Sequence, residues 1–325
     1  MTVLVTGAAG FIGYHTARRL CEDGHEVVGI DNLNDYYDPR LKQARLEELA
    51  SVPGFRFEKM DIVDKPALMA LFREQHFGEV VHLAAQAGVR YSLDSPDVYG
   101  QSNLVGFLNV LEACRHYRPE HLIYASSSSV YGANSKMPFS VEDPVDQPVS
   151  LYAATKRANE LLAHSYCHLY GIKASGLRFF TVYGPWGRPD MALFKFTDAM
   201  LKDLPIDIYN QGEMARDFTY IDDIVESIAR LRTRAPVPDA PGEGCNRLFN
   251  IGRGQPVALM DFVECLESAL GRRARRHFLP MQAGDVVKTW ADTHALQAWI
   301  DFKPQVGVET GVGRFVEWYR GFYQV

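Results

Sequence analysis

The 325 residues predict an α/β protein: a Rossmann-type, doubly wound parallel sheet followed by a smaller α/β C-terminal substrate region. Three observations predict it. Strand-like and helical segments alternate through the first half of the chain, the strands are short apolar runs of the kind buried on both faces, and the first strand enters its helix through three glycines, Gly7, Gly10 and Gly13.

In order, strand-like runs lie at 3–5, 26–30, 55–58, 79–83, 121–125 and 174–179. Helical segments lie between them, among them 12–22, 66–75, 98–117 and 152–170. After about Phe180 the segments become shorter, and 233–246, with three prolines and two glycines, reads as a surface loop. A strand at 248–252 and a helix at 260–270 are expected within this second region. The expected division is therefore 1–180 for a dinucleotide-binding domain, with part of 206–235 packing back on it, and 181–325 for a substrate domain. A cleft between the two is the natural ligand site, at the carboxyl ends of the strands.

Each glycine of the N-terminal turn has its own mechanical task. The first permits the tight turn, the second lets a pyrophosphate approach the backbone, and the third lets helix and strand pack closely. The phosphates then meet the free N–H groups at the start of the helix. The second strand ends at Asp31, about 20 residues beyond the glycines, where a carboxylate accepts hydrogen bonds from an adenosine ribose. A carboxylate there repels a 2′-phosphate, so the expected cofactor is NAD.

Composition narrows the rest. The chain is 47% hydrophobic and 23% charged, which is ordinary for a globular enzyme, and its net charge of −6 gives no reason to expect nucleic acid. The dense basic run, Arg272-Arg273-Ala274-Arg275-Arg276, reads as a solvated helix end. Five cysteines, odd in number and without a CxxC pair, argue against disulfides or zinc and suggest a reducing cytoplasm. No signal peptide is expected, and no apolar run is long enough to span a membrane.

The reacting groups follow the strand at 121–125, which ends in Ser126-Ser127-Ser128-Ser129-Val130-Tyr131-Gly132. Beyond a loop, Tyr152 and Lys156 stand four apart on a helix and share a face. A tyrosine is a poor base at neutral pH unless nearby positive charge favours its phenolate. With Lys156 and a nicotinamide beside it, Tyr152 is expected to take a hydroxyl proton while hydride leaves the same carbon. Ser127 is expected as a second hydrogen-bonding group on the reacting oxygen. His82 reads as a packed strand residue, with no triad or metal set around it.

The glycine turn, Leu83-Ala84-Ala85, the serine run and the Tyr152/Lys156 pair together resemble the extended short-chain dehydrogenase/reductases over essentially the whole chain. Within them the chain is most similar to the UDP-glucuronate 4-epimerases, through the blocks 32–38, 86–92, 181–191 and 214–223. The resemblance implies bound NAD, a UDP-sugar substrate, 4-epimerisation through a 4-keto sugar, and a homodimer built from helices 98–117 and 152–170. It implies a cofactor site of Gly7, Gly10, Phe11, Ile12, Gly13, Asp31, Asn32, Asp61, Ile62, Leu83, Ala84, Ala85, Gln86, Tyr152, Lys156 and Phe179. For the substrate it implies Arg90, Ser127, Met191, Tyr209 and Asp285, with Arg188 and Arg216 suited to the diphosphate by their fork geometry.

The serines bear on which reaction is run. Related decarboxylases and dehydratases carry a glutamate immediately before the Val-Tyr-Gly, and dehydratases an aspartate before that; here those places hold Ser128 and Ser129. A 4-keto glucuronate carries its carboxylate β to a ketone and loses carbon dioxide readily. Ser128, Ser129 and Thr181 are expected to cradle that carboxylate, where an anionic residue would repel it. A neutral-sugar 4-epimerase, a UDP-glucuronate decarboxylase and a non-catalytic NAD-binding protein on the same fold stay open at this point.

Overall fold

A computed structural model of the chain describes residues 1–238, 244–282 and 285–325. Residues 239–243 of the expected surface loop, and Gly284, lie outside the described residues. The strands are β1 Thr2–Thr6, β2 Glu26–Asp31, β3 Phe55–Lys59, β4 Glu79–His82, β5 His121–Ser127, β6 Lys173–Phe179, β7 Thr181–Tyr183, β8 Ile206–Ile208, β9 Ala215–Tyr220, β10 Cys245–Ile251, β11 Pro256–Ala258 and β12 Arg276–Phe278. The helices are α1 Phe11–Glu22, α2 Pro39–Ala50, α3 Lys65–Gln75, the single turns α4 Tyr91–Asp94 and α5 Pro96–Tyr99, α6 Phe107–Tyr117, α7 Leu151–Tyr170, α8 Ala192–Leu201, α9 Ile221–Arg232, α10 Leu259–Leu270, α11 His294–Ile300 and α12 Val308–Tyr323.

Seven strands form one parallel sheet in the order β10-β6-β5-β4-β1-β2-β3. The order reverses between β1 and β4, and this switch point opens a crevice outside the carboxyl ends of the strands. Helices cover both faces, so Val3, Val5, Val81, Ile123 and Leu177 are buried on one side and Leu4, Val80, Leu122 and Tyr124 on the other. The helix starts follow local chemistry. Asp38 and Asp64 cap α2 and α3 just ahead of a proline in the first turn, and Ser150 caps α7. Each such cap contributes about 1 kcal/mol.

The strand expected at 248–252 in the second region is instead β10 at the edge of the seven-stranded sheet, paired with β6 over Cys245↔Lys173 to Ile251↔Phe179. Gly176 makes room for it: a Cβ there would lie 2.5 Å from the Tyr124 ring and 2.6 Å from Leu248. Phe249 and Ile251 then complete the core shared with α9 and α11. The helix expected over 98–117 is helical, but it passes through a π turn at Gly100–Gly106 before α6.

A second core lies beyond the sheet's carboxyl edge. It joins β7, β9 and β11 in a small mixed sheet with α8, α10 and α12, and Phe218 stacks on Phe262 at 4.1 Å. The arginines after α10 turn back onto its last turn, where Arg273 and Arg276 pair with Glu267. Among the described residues no helix is long and apolar enough to cross a membrane.

Candidate active site

The switch-point crevice widens into a cleft of about 830 Å³, walled by the sheet on one side and the second core on the other. All the residues expected to hold cofactor and substrate line it. Their roles are a separate matter from this placement, and the local geometry bears on several of them.

At the sheet end, Gly7 takes φ +73° and its N–H donates to Ile30 at 2.7 Å. A Cβ on Gly13 would sit 2.0 Å from the Gly7 carbonyl oxygen, so α1 packs directly on the turn. Gly10 opens α1 without a side-chain cap, which leaves the first N–H groups of the helix turned to the cleft as an anion site. This cradle of glycines, with a helix dipole aimed into it, fits a pyrophosphate. Asp31 closes β2; its Oδ1 accepts the Leu33 N–H at 2.8 Å. Asp61 accepts Val63 N–H and Asn32 Nδ2, each at 2.9 Å. The wall at 83–86 is fixed from behind: Thr6 Oγ1 accepts the N–H groups of Leu83 and Ala84, and Asn103 bonds both backbone groups of Gln86.

Tyr152 lies in the first turn of α7, where Ala153 N–H donates to Ser150 Oγ at 3.1 Å and fixes the helix start. Ser127, at the end of β5, lies beside the Tyr152 hydroxyl and favours its phenolate. Burial pushes the Tyr152 phenol above its ordinary range, against Ser127 and the positive charge of Arg188, which both pull it down. Lys156 Nζ donates to the Ala125 carbonyl at 2.8 Å, and burial alone lowers it to about 8. A cation bearing on Tyr152 comes from a loop 36 residues away in sequence (188 against 152).

Arg188 grips Asp190, Nε to Oδ1 at 3.0 Å and Nη2 to Oδ2, and Tyr36 donates to the same Oδ2 at 3.0 Å. One edge of its guanidinium is therefore engaged by a carboxylate of its own loop. At the opposite end of the cleft, Arg90 meets Asp285 at 3.0 Å and lies over the Tyr209 ring at 5.0 Å. Arg216 donates to the carbonyls of Ala215 and Val287 and forms no ion pair among the described residues.

The serines divide in two. Ser126 Oγ donates to Glu160 at 2.6 Å, and Ser127 Oγ accepts Ser129 N–H at 3.2 Å. The hydroxyls of Ser128, Ser129 and Thr181 line the cleft without a protein partner among the described residues. His82 is bonded to Thr6 at 2.8 Å, stacked on Phe107 and held neutral by burial, its pKa lowered to about 3. No group of three or more metal-binding side chains occurs among the described residues.

Residues 3–252 match the family model described as the NAD dependent epimerase/dehydratase family. The chain belongs to the NAD-dependent epimerase/dehydratase family. Over its full length this family member is 51% identical to a probable UDP-glucuronate 4-epimerase of Rhizobium meliloti (strain 1021), of which 98% is covered. Its fold superposes on a UDP-glucuronic acid 4-epimerase of Bacillus cereus, crystallised with UDP-glucuronic acid and NAD, with a TM-score of 0.90, 33% identity and coverage of 99% and 100% of the two chains. A UDP-glucose 4-epimerase of Thermotoga maritima with UDP-glucose gives 0.89 at 29% identity and the same coverage. Backbone likeness thus extends equally to acidic-sugar and neutral-sugar epimerases, and the discrimination lies in side chains.

Sequence reasoning missed the residues of α2 and its approach. Lys42 is buried at the cleft, 2.8 Å from Asn34 Oδ1 and 3.8 Å from Asp31. Arg45, fully buried, donates to the carbonyls of Ala9 and Trp186 and so ties the glycine turn to the loop carrying Arg188. A signal was present: Asp38-Pro39 is a helix start, and Leu41, Arg45, Leu46 and Leu49 share one helical face.

Proposed function

We propose that this family member interconverts UDP-glucuronate and UDP-galacturonate by 4-epimerisation, with NAD held in the sheet end of the cleft. The observation that carries the reading is the trio of unpartnered hydroxyls, Ser128, Ser129 and Thr181, the first two at positions where an acid would stand in a decarboxylase or dehydratase. Hydroxyls donate to a carboxylate, and a charged acceptor strengthens such bonds about twofold over neutral ones. The glycine cradle and Asp31 suit the dinucleotide.

The division of labour follows. Bound NAD takes the C4 hydride and returns it. Tyr152, with Ser127 beside its hydroxyl, takes the C4 hydroxyl proton and later gives it back. Arg188 supplies positive charge to the phenolate, and Lys156 is placed by Ala125 to meet the ribose. Arg216 and Arg90 serve the diphosphate, Asp285 the uridine ribose, and Tyr209 the uracil. Val98, Val105 and Leu108 on the helical run 98–117, and Leu161 and Leu169 on α7, are exposed, which supports a homodimer through these helices. Five free cysteines fit a reducing compartment, the cytoplasm.

Proton NMR of the purified protein with UDP-glucuronate and no added NAD tests the reading. UDP-galacturonate as sole product supports it and shows that the cofactor is retained. A pentose with released carbon dioxide would identify a decarboxylase instead. Turnover of UDP-galactose alone, with NAD added, would identify a neutral-sugar epimerase.

A further inference from the structure

Behind the serine loop, outside the lining of the cleft, lies an ion pair with both side chains 1% exposed: Glu160 on α7, one turn beyond Lys156, and Arg178 near the end of β6. The guanidinium is bidentate, Nε to Oε1 at 2.8 Å and Nη2 to Oε2 at 2.9 Å. Glu160 also accepts the Ser126 hydroxyl at 2.6 Å, and Arg157 at 2.9 Å. Arg178 reaches the far end of the same loop, where its Nη1 donates to the Tyr131 hydroxyl at 3.1 Å. Tyr131 in turn donates to Asn250 at 2.6 Å. The buried pair thus joins three pieces of the site: the helix that carries Tyr152, both ends of the loop that carries Ser128 and Ser129 (Glu160 at Ser126, Arg178 at Tyr131), and the strand that leads to Thr181.

Stability alone is a weak reason for such a pair, because well-packed apolar residues in its place are often as stabilising. What the bidentate fork provides is direction: it fixes the spacing and rotation of the elements it joins. We propose that Glu160 and Arg178 are positioning residues that set the hydroxyls of Ser128, Ser129 and Thr181 against Tyr152, and so hold the sugar carboxylate out of line with the C4 carbonyl. The inference rests on the carboxylate cradle proposed above.

The consequence is chemical. When the C5–C6 bond of the 4-keto sugar aligns with the carbonyl π system, that bond breaks and its electron pair enters the C4 carbonyl as an enolate. Carbon dioxide leaves, and C5 takes a proton from water. Hydride return to C4 then gives a UDP-pentose. A loosened loop therefore diverts intermediate from epimer to pentose, which a merely destabilised protein does not do.

The test compares Ser126→Ala, which removes a single hydroxyl tie, and Glu160→Gln with the unmodified protein. Ser129→Ala is run beside them as a probe of the cradle itself. The ratio of UDP-pentose to UDP-galacturonate is read by NMR, with carbon dioxide trapped from C6-labelled substrate and folding checked by thermal melting. The expected ratio rises about tenfold in Glu160→Gln, equivalent to about 1.4 kcal/mol in relative barrier, and by a smaller factor in Ser126→Ala. If Glu160→Gln does not fold, Ser126→Ala decides. A raised ratio in Ser129→Ala with none in folded Ser126→Ala or Glu160→Gln overturns the positioning role and leaves the cradle standing. No rise in any of the three removes the cradle, and the inference with it.

Discussion

The Arg188 guanidinium is clamped by two hydrogen bonds to the Asp190 carboxylate two residues on, and its charge is held where it bears on Tyr152. Tyr36 completes the clamp from the loop after β2. The groups that face Tyr152 are then Ser127 from β5, Tyr99 from α5 and Arg188, with Lys156 on its own helix turned to Ala125.

Arg188→Gln is expected to move the acid limb of the kcat profile to higher pH. The sign follows from Tyr152 acting as a base: positive charge favours the phenolate, so removing it raises the phenol's pKa. If the limb moves up by about one pH unit, turnover at neutral pH falls about tenfold and is recovered by raising the pH. A limb that stays in place while turnover falls at every pH would assign Arg188 to substrate binding alone.

Ser129→Ala and Thr181→Val bear on selectivity. Each removes one donor to an ionised acceptor, a loss of about 1.5–3 kcal/mol, or roughly 10- to 100-fold in affinity for UDP-glucuronate. Binding of UDP-glucose, which has no carboxylate, is expected to change little. Calorimetric titration of both sugars measures the preference, and an unchanged preference would refute the cradle.

Lys42→Met probes the cofactor end. The lysine is buried between Asn34, Asp31 and the Tyr37 ring, and its removal leaves a buried carboxylate without a cation. The expected result is NAD bound about tenfold more weakly, since a charge-assisted contact is lost. The NAD content of the purified variant, measured after denaturation, checks it.

His82 and His121 predict an acid weakness in the fold. Both are buried, and desolvation lowers their pKa values to about 3 and about 4. The unfolded chain takes up protons at these sites below pH 6.5 while the folded one does not. Stability is therefore full above that pH and is lost as pH falls toward 4, by at most about 1.4 kcal/mol per pH unit for each histidine. Urea midpoints between pH 7 and 4.5 should fall, and a His82→Gln variant should show a shallower slope.

Much of this molecule is written locally. The glycine spacing dictates the turn by sterics within seven residues, the apolar runs dictate strands, and the Tyr152–Lys156 interval dictates a shared helical face. The four serines, too, mark a loop without an acid wherever it is folded. Periodicity and turn chemistry act over one or two turns of chain, so the sequence by itself determined most elements of the first half and the cofactor class, and pointed to Tyr152 as the residue expected to react. Only the tertiary structure decided which sheet takes β10, because that depended on Gly176 leaving space opposite Leu248. It likewise gave Lys156 a carbonyl partner, engaged one edge of Arg188, and set Arg90 against Asp285 across 195 residues. Ion-pair partners and strand order are settled by the packing of distant segments and the burial of their charges, and no local pattern in the chain encodes those distances.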